Sequence, residues 1–464
     1  MAIWIPDLSN RDGPKYLRIV EAMAEDIATG CLPAGTRLPP HRELAYQLDV
    51  SPNTTSRAYA EAVKRALLKG EVGRGTFVRS TDAASGQAEP ETLRRRESGP
   101  IDLSRNLPMP GLSEQHVRRV LSEIANETSL PSLLDYQTDA DLVHHLAAGQ
   151  TWLAHCGVSS ELECIVPVVG GQHGIMSVLM ALLQPGDLLL AEALTYTPIL
   201  TMAARLDLQT GAVAMDDDGV VPEAFEAWCR EANPKAFYLT PTLQAPTTVT
   251  LSKERRARIA EIAAQNGVIL IEDDVFGPLK SNKPAPLAQI APETTIYVAS
   301  LSKAVAPGLR VGFLKAPTKL ASALHQSVNL SVWMTPPLTL EVARRLIEDG
   351  TAGELTAQQQ RIAKHRQNLV QSILGIEAVP NLSDGFHVWL PLPEGWRADV
   401  FSSECARLGV HVSEGRSFAM NASDAPEAIR LCVSHEANEE RLKRGLEIAA
   451  GVLRQKPIGS SMKI

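Results

Sequence analysis

Six cysteines are scattered over 464 residues, and no two stand in C-x-x-C spacing. Neither a zinc site nor a disulfide framework is indicated, and free thiols are the simple expectation. Long apolar runs are missing too: the longest, residues 174–183, is too short to span a bilayer. Residues 1–12 hold no basic stretch leading into an apolar core, so no signal peptide is expected. There is no internal repeat and no low-complexity tract. Nor is there an excess of positive charge. The net charge is -8, so bulk electrostatics does not advertise a nucleic-acid partner.

What is present fits a soluble globular protein, with 44% hydrophobic and 21% charged residues. A chain of this length exceeds one ordinary core, and two or three domains are expected. Charge is unevenly shared. Residues 1–79 carry 11 Lys/Arg against 9 Asp/Glu, and the remainder carries 34 against 44. A mildly basic head on an acidic body suggests two jobs.

In the head, Ile19, Met23 and Ile27 recur along one face of a helix over 15–29, which Gly30 ends. A proline-rich extended connector, 31–40, leads to a short helix over 41–48. Ser51 is a suitable N-cap and Pro52 a suitable first residue for a third helix running to about 69. Residues 71–79 read as two short strands around a glycine turn. This order predicts a winged helix-turn-helix over 1–79, the alternative being a small helical domain with ordinary surface charge. The third helix would offer Ser51, Asn53, Thr54, Thr55 and Arg57 to a major groove. Arg42 and the wing residue Arg74 would approach phosphates or the minor groove. Residues 80–100, rich in Ser, Ala, Glu and Gly and including Arg94-Arg95-Arg96, read as a flexible linker.

From Ile101 onward apolar strands alternate with helical segments, an α/β pattern. The most informative stretch is Ser300-Leu301-Ser302-Lys303, followed by Pro307-Gly308-Leu309-Arg310. A lysine amine condenses with an aldehyde, and burial favours its neutral, nucleophilic form. Ser300, Ser302 and Arg310 supply the donors that a phosphate needs. An aldehyde and a phosphate on one small molecule suggest pyridoxal phosphate; a Ser/Lys-rich surface turn is the plain alternative. Gly170-Gly171-Gln172, between a strand at 166–169 and a helix at 175–183, reads as an anion site, although glycine turns before helices are common and the signal is weak alone. Tyr196 falls in a loop where an aromatic can stack on a flat ring. Glu272-Asp273-Asp274 follows a strand at 268–271, where ligands bind in open α/β sheets. A carboxylate there holds a pyridine nitrogen protonated, while Asp274 reads as solvated.

Two resemblances join these observations. Residues 32–45, Val50 to Thr54 and Gly73 to Val78 resemble the DNA-binding domain of GntR-type regulators, with Pro52 where many relatives carry arginine. The chain from Ile101 onward resembles fold-type I aminotransferases, with a small α/β subdomain from about 376 to the end. Together they resemble the MocR-type regulators, and nearly the whole chain is covered. The implied architecture is multidomain: a winged helix-turn-helix (1–79), a linker (80–100) and an α/β fold-type I PLP domain (101–464).

The resemblance implies that Lys303 forms the internal aldimine, Asp273 pairs with the pyridine nitrogen, and Tyr196 stacks on the ring. Ser300, Ser302, Arg310 and the Gly171-Gln172 backbone would hold the phosphate. Tyr136 would reach the phosphate of a second subunit, which implies a homodimer. Arg430 would pair with the carboxylate of an amino-acid-like effector, which a guanidinium does well. Two departures stand out. The family's Asn-Pro-Thr-Gly occurs here as Ala245-Pro246-Thr247-Thr248, and its tyrosine three residues after the aspartate is Phe276. Both lost donors tune the ring oxygen and the Schiff base, so the expectation is sensing rather than turnover. The expected protein is a cytoplasmic regulator that binds a double-stranded DNA operator and senses an effector forming an external aldimine in place of Lys303. An aminotransferase with a DNA-binding appendage, and a DNA-binding protein with a cofactor-free dimeriser, are the rivals.

Overall fold

The computed structural model describes residues 4–8, 13–29, 31–33, 36–65, 67–71, 75–78, 99–375, 377–379 and 383–455. Gly30, Arg74, residues 80–98 of the expected linker and the arginine triplet lie outside them. The chain divides into two compact units, Met1–Arg95 and Arg96–Ile464.

In the first unit, α1 (Lys15–Ala28), α2 (His41–Gln47) and α3 (Pro52–Lys64) precede a hairpin of β1 (Leu68–Glu71) and β2 (Gly75–Val78). Ile19, Val20 and Met23 of α1 are buried against Leu44 of α2 and Ala58, Tyr59 and Ala62 of α3. Pro52 opens α3, and the Ser51 hydroxyl accepts the Thr54 N–H at 3.2 Å. The helix ends at Lys64 rather than near 69. Leu68 is buried and pairs across the hairpin with Val78, so burial in the wing outweighs continuing the helix. The connector joins the same sheet: Leu38 N–H donates to the Thr76 carbonyl and Val78 N–H to Thr36, both at 2.9 Å.

The second unit is built on a seven-stranded sheet. Its order is Ile165–Val168, Gly312–Lys315, Thr295–Ser300, Ile269–Asp273, Ala236–Leu239, Leu188–Glu192, Gln209–Val213. All neighbours are parallel except Gly312–Lys315, which runs against both of its own. Continuous apolar strands of this kind are covered on both faces. In Thr295–Ser300, Ile296 and Val298 face the core under the helices Gly170–Leu182 and Thr318–Val332, while Tyr297 and Ala299 face the opposite core with Trp152 and Leu346.

A second, antiparallel sheet contains His387–Pro391, Ala428–Cys432 and Ser413–Glu414. Ile101–Asp102 pairs with Val410–His411, so the start of this unit packs with its C-terminal part. The helix Thr351–Leu374 reaches from the large core, at Ala352 and Leu355, to the small one, at Val370. Among the described residues no helix is long and apolar enough to cross a membrane.

Candidate functional site

The carboxyl ends of the central strands and the edge of the small sheet enclose a cavity of about 350 Å³. Gly171, Gln172, Tyr196, Asp273, Ser300, Ser302, Lys303, Arg310 and Arg430 all line it. These expected residues are up to 259 positions apart in sequence, and the parallel sheet brings them to one place.

Lys303 sits in the turn that leaves Thr295–Ser300. Its Nζ donates to the Asn106 carbonyl and lies 5.2 Å from the Phe276 ring centre. Burial lowers its pKa to about 8; Arg430 and Arg310 push the same way, while Cys432 and Asp273 oppose them. Asp273 is the last residue of its strand, which runs two positions further than expected. Burial raises its pKa to about 6, against the Tyr238 hydroxyl, which donates to Oδ2 at 2.7 Å, and the Val275 N–H.

Opposite, Gly170 and Gly171 already belong to the helix Gly170–Leu182, which starts earlier than expected. Arg310 adopts left-handed backbone, φ 54°, and donates to the Val169 carbonyl at 3.2 Å. The Ser302 N–H donates to Ser300 Oγ at 3.1 Å, while Ser302 Oγ is buried without a partner. The Tyr196 hydroxyl donates to Gln172 Oε1 at 3.4 Å. Arg430 donates to the Ser104 carbonyl at 2.7 Å and packs 4.4 Å over the Phe418 ring, leaving Nε buried and unpaired. Ala245 lines the cavity and Phe276 is buried beside it, so neither expected hydroxyl or amide donor is present. Tyr136 is not in the cavity: it is 77% exposed, edge-on to Trp333 at 6.0 Å.

Four contributors were not anticipated. Tyr238 clamps Asp273 from the neighbouring strand. Asn106 Nδ2 meets His387 Nδ1 at 2.9 Å, and His387 Nε2 meets the Gln244 carbonyl at 3.2 Å. Glu192 is buried, and desolvation raises its pKa to about 7 while Thr240 and Gln244 donate to it. Asp274 corrects an expectation. It is buried rather than solvated, accepting from Tyr297 at 2.6 Å and pairing with Lys283, because its N–H still bonds the Val298 carbonyl of the neighbouring strand at 3.2 Å and so keeps it within the sheet.

In the head, Arg42, Ser51, Asn53 and Arg57 are exposed and Thr54 is half-buried. Arg57 stacks on Tyr16, 4.0 Å from the ring centre. Thr55 is not available to a groove. It is fully buried, and its hydroxyl donates to the His41 carbonyl at 2.7 Å, bracing α3 against the start of α2. Tyr46, unremarked in the sequence, is 85% exposed on α2.

Residues 100–447 match the family described as aminotransferase class I and II, and residues 15–78 match bacterial regulatory proteins, gntR family. The chain belongs to the aminotransferase class I and II family and carries a gntR-family head. That pairing is the MocR-type architecture. The chain is 29% identical to the HTH-type transcriptional regulator YdeF of Bacillus subtilis, covering 97% of this chain and 96% of that one. It is 27% identical to the vitamin B6 salvage pathway transcriptional repressor PtsJ of Salmonella typhimurium, over 89% and 93%. Among solved structures, an archaeal alanine:glyoxylate aminotransferase superposes with a TM-score of 0.71 at 23% identity, over 78% of this chain and 93% of that one. The cofactor that this family and this donor set define is pyridoxal phosphate. The unpaired Ser302 hydroxyl, the glycine-led helix and the buried lysine, its pKa lowered by desolvation, in one cavity with a buried carboxylate all fit it.

Proposed function

We propose that this chain is a pyridoxal-phosphate-dependent transcriptional regulator whose body senses a small amino-acid-like molecule and whose head binds a double-stranded DNA operator. The observation that carries this reading is Lys303, poised in one cavity with Asp273 and Arg430, in a chain that also has a gntR-family head. Lys303 holds the cofactor's aldehyde carbon, and Asp273 faces the pyridine nitrogen with Tyr238 fixing its carboxylate. Tyr196 covers the ring. Ser300, Ser302, Arg310 and the first N–H groups of the helix at Gly171-Gln172 hold the phosphate. The cofactor supplies an electrophilic carbon that any primary amine can take from the lysine. Arg430 binds the effector's carboxylate, and the effector's amine replaces that of Lys303.

The exposed Arg42, Ser51, Asn53, Thr54 and Arg57 meet DNA. Tyr136 reaches the cofactor phosphate of a second copy in a homodimer, and the protein works in the cytoplasm. Domain limits of 1–79, 80–100 and 101–464 accompany this reading, with the small subdomain from about 376. A ligand changes DNA affinity only through contacts that differ between two states. Lys303→Ala should therefore abolish the effector-dependent change in operator affinity in a mobility-shift titration, while the head still binds DNA. A full response in Lys303→Ala would refute this mechanism. Family membership favours the enzyme as a second reading. Sustained production of a keto acid from an amino acid by the purified protein would promote it.

A further inference from the structure

The helix Gly170–Leu182 points its N-terminus at the cavity, and one of its own side chains turns back to hold that end. His173 Nδ1 accepts the N–H of Val169, the residue before the helix, at 3.0 Å. On the ring's other side, Nε2 meets Ser331 Oγ at 2.9 Å and Ser177 Oγ at 3.3 Å. The proton positions follow from the partners. A backbone N–H can only donate, so Nδ1 is bare and Nε2 carries the hydrogen of the neutral ring. The Ser331 hydroxyl donates its own hydrogen to the Ser327 or Val328 carbonyl, both at 3.0 Å, and so accepts from Nε2. Burial, with Arg310 adding to it, lowers the histidine pKa and favours this neutral form.

Ser331 belongs to the helix Thr318–Val332, which is tied to Gly170–Leu182 a second time: the Ser327 hydroxyl donates to the Ser177 carbonyl at 2.8 Å. The ring is thus fixed from behind by a neighbouring helix, and it fixes in turn the peptide group between Val168 and Val169. The next peptide group, between Val169 and Gly170, is reached by Arg310, which donates to the Val169 carbonyl. Two successive planar groups are therefore oriented just ahead of Gly171 and Gln172. The first N–H groups of a helix have no partner inside it, and the direction in which they point follows from the planes before them. Without His173 the Val169 N–H loses its acceptor. A part-buried N–H must find another, and the planes turn with it.

We propose that His173 is a positioning residue for phosphate: it aims the Gly171 and Gln172 N–H groups, and so gives the cavity its preference for a phosphorylated pyridoxal over an unphosphorylated one. The inference rests on the proposed placement of the cofactor phosphate at this helix end. His173 does not line the cavity and acts through Val169. Ser331 shares the role one step further away, by holding the ring in its tautomer and orientation.

The test uses the full-length protein freed of cofactor and two probes, pyridoxal phosphate and 5′-deoxypyridoxal, each titrated by visible absorbance. The probes share ring and aldehyde, and the second has a methyl group in place of the phosphate arm. His173→Leu should bind pyridoxal phosphate about ten-fold more weakly, the scale of one charge-assisted hydrogen bond, and 5′-deoxypyridoxal with unchanged affinity. His173→Asn, whose side-chain oxygen falls close to the place of Nδ1, should recover the phosphate preference. Ser331→Ala should lose about three-fold, again for pyridoxal phosphate alone, and it decides the matter if His173→Leu does not fold, since alanine suits a helix. Equal losses for both probes would reduce the histidine to general packing and overturn the proposal. So would the parent's ratio of affinities persisting in His173→Leu, or in Ser331→Ala where that variant decides. A parent that binds both probes equally would remove the phosphate from this helix end, and the proposal with it. A parent that takes up neither would sink the cofactor reading first.

Discussion

The two sides of the cavity differ in how they are finished. At the Asp273 side the carboxylates are held by donors: Tyr238 and the Val275 N–H hold that of Asp273, and Thr240 and Gln244 hold one oxygen of Glu192 behind it. At the side of Ala245 and Phe276, a methyl group and a phenyl ring stand where the family's amide and hydroxyl donors belong. Hydrogen bonds to charged groups contribute about 1.5–3 kcal/mol each. The difference teaches that gripping a cofactor and tuning its reactivity are separable. On the proposed reading the first is kept and the second is given up, which is what a sensor needs.

Four substitutions or conditions test that contrast, taken from the largest effect to the smallest. Asp273→Asn removes the charge from the finished side and should weaken pyridoxal phosphate binding about 10- to 100-fold in an absorbance titration. Unchanged affinity would mean that the clamped side is not the grip. Ala245→Asn combined with Phe276→Tyr rebuilds the unfinished side. It should speed conversion of the bound cofactor to its amine form by an added amino acid by about ten-fold, read in stopped-flow absorbance. A double variant no faster than the parent would break the comparison.

The third test is pH. Lys303 must be neutral to attack the aldehyde, and burial brings its pKa to about 8. Cofactor uptake by cofactor-free protein should therefore rise with pH up to about 8 and level off above it, in a rate–pH profile. A rise continuing toward the ordinary lysine value of about 10.4 would show an unperturbed amine. The smallest effect is in the head. Thr55→Val keeps the shape but loses the bond to His41, and should cost the head about 1 kcal/mol in chemical denaturation. DNA affinity of the folded protein should be unaltered, because the hydroxyl points inward.

What the sequence made legible, and what it hid, follows the range of each interaction. Lys303, Ser300, Ser302 and Arg310 lie within eleven residues, so local chemistry announced them. Asp273 was legible because strand ends and carboxylates coincide in parallel sheets. Tyr238 was not: it meets Asp273 only through strand register, 35 residues away. Asn106 and His387 are 281 positions apart, and no local pattern marks either. Thr55 was misplaced because an N-terminal helix position was treated as all surface, although one face of α3 packs on α2. The end of α3 was missed for a similar reason: apolar Leu68 suits helix and wing alike until Val78 is seen across from it.

The corner around Gly170 carries one last consequence. A Cβ there would stand 2.8 Å from the Arg310 guanidinium, and one on Gly312 would stand 2.7 Å from the Ala299 carbonyl and 3.2 Å from the Gly170 Cα. Gly170 also takes φ +76°, where side chains are strained. Three positions scattered over 143 residues therefore share one small volume. Natural variation should be unable to explore them one at a time: in an exhaustive mutational library, shrinking 310 should relieve the crowding at 170 but not its backbone strain, so 170 should stay glycine even there.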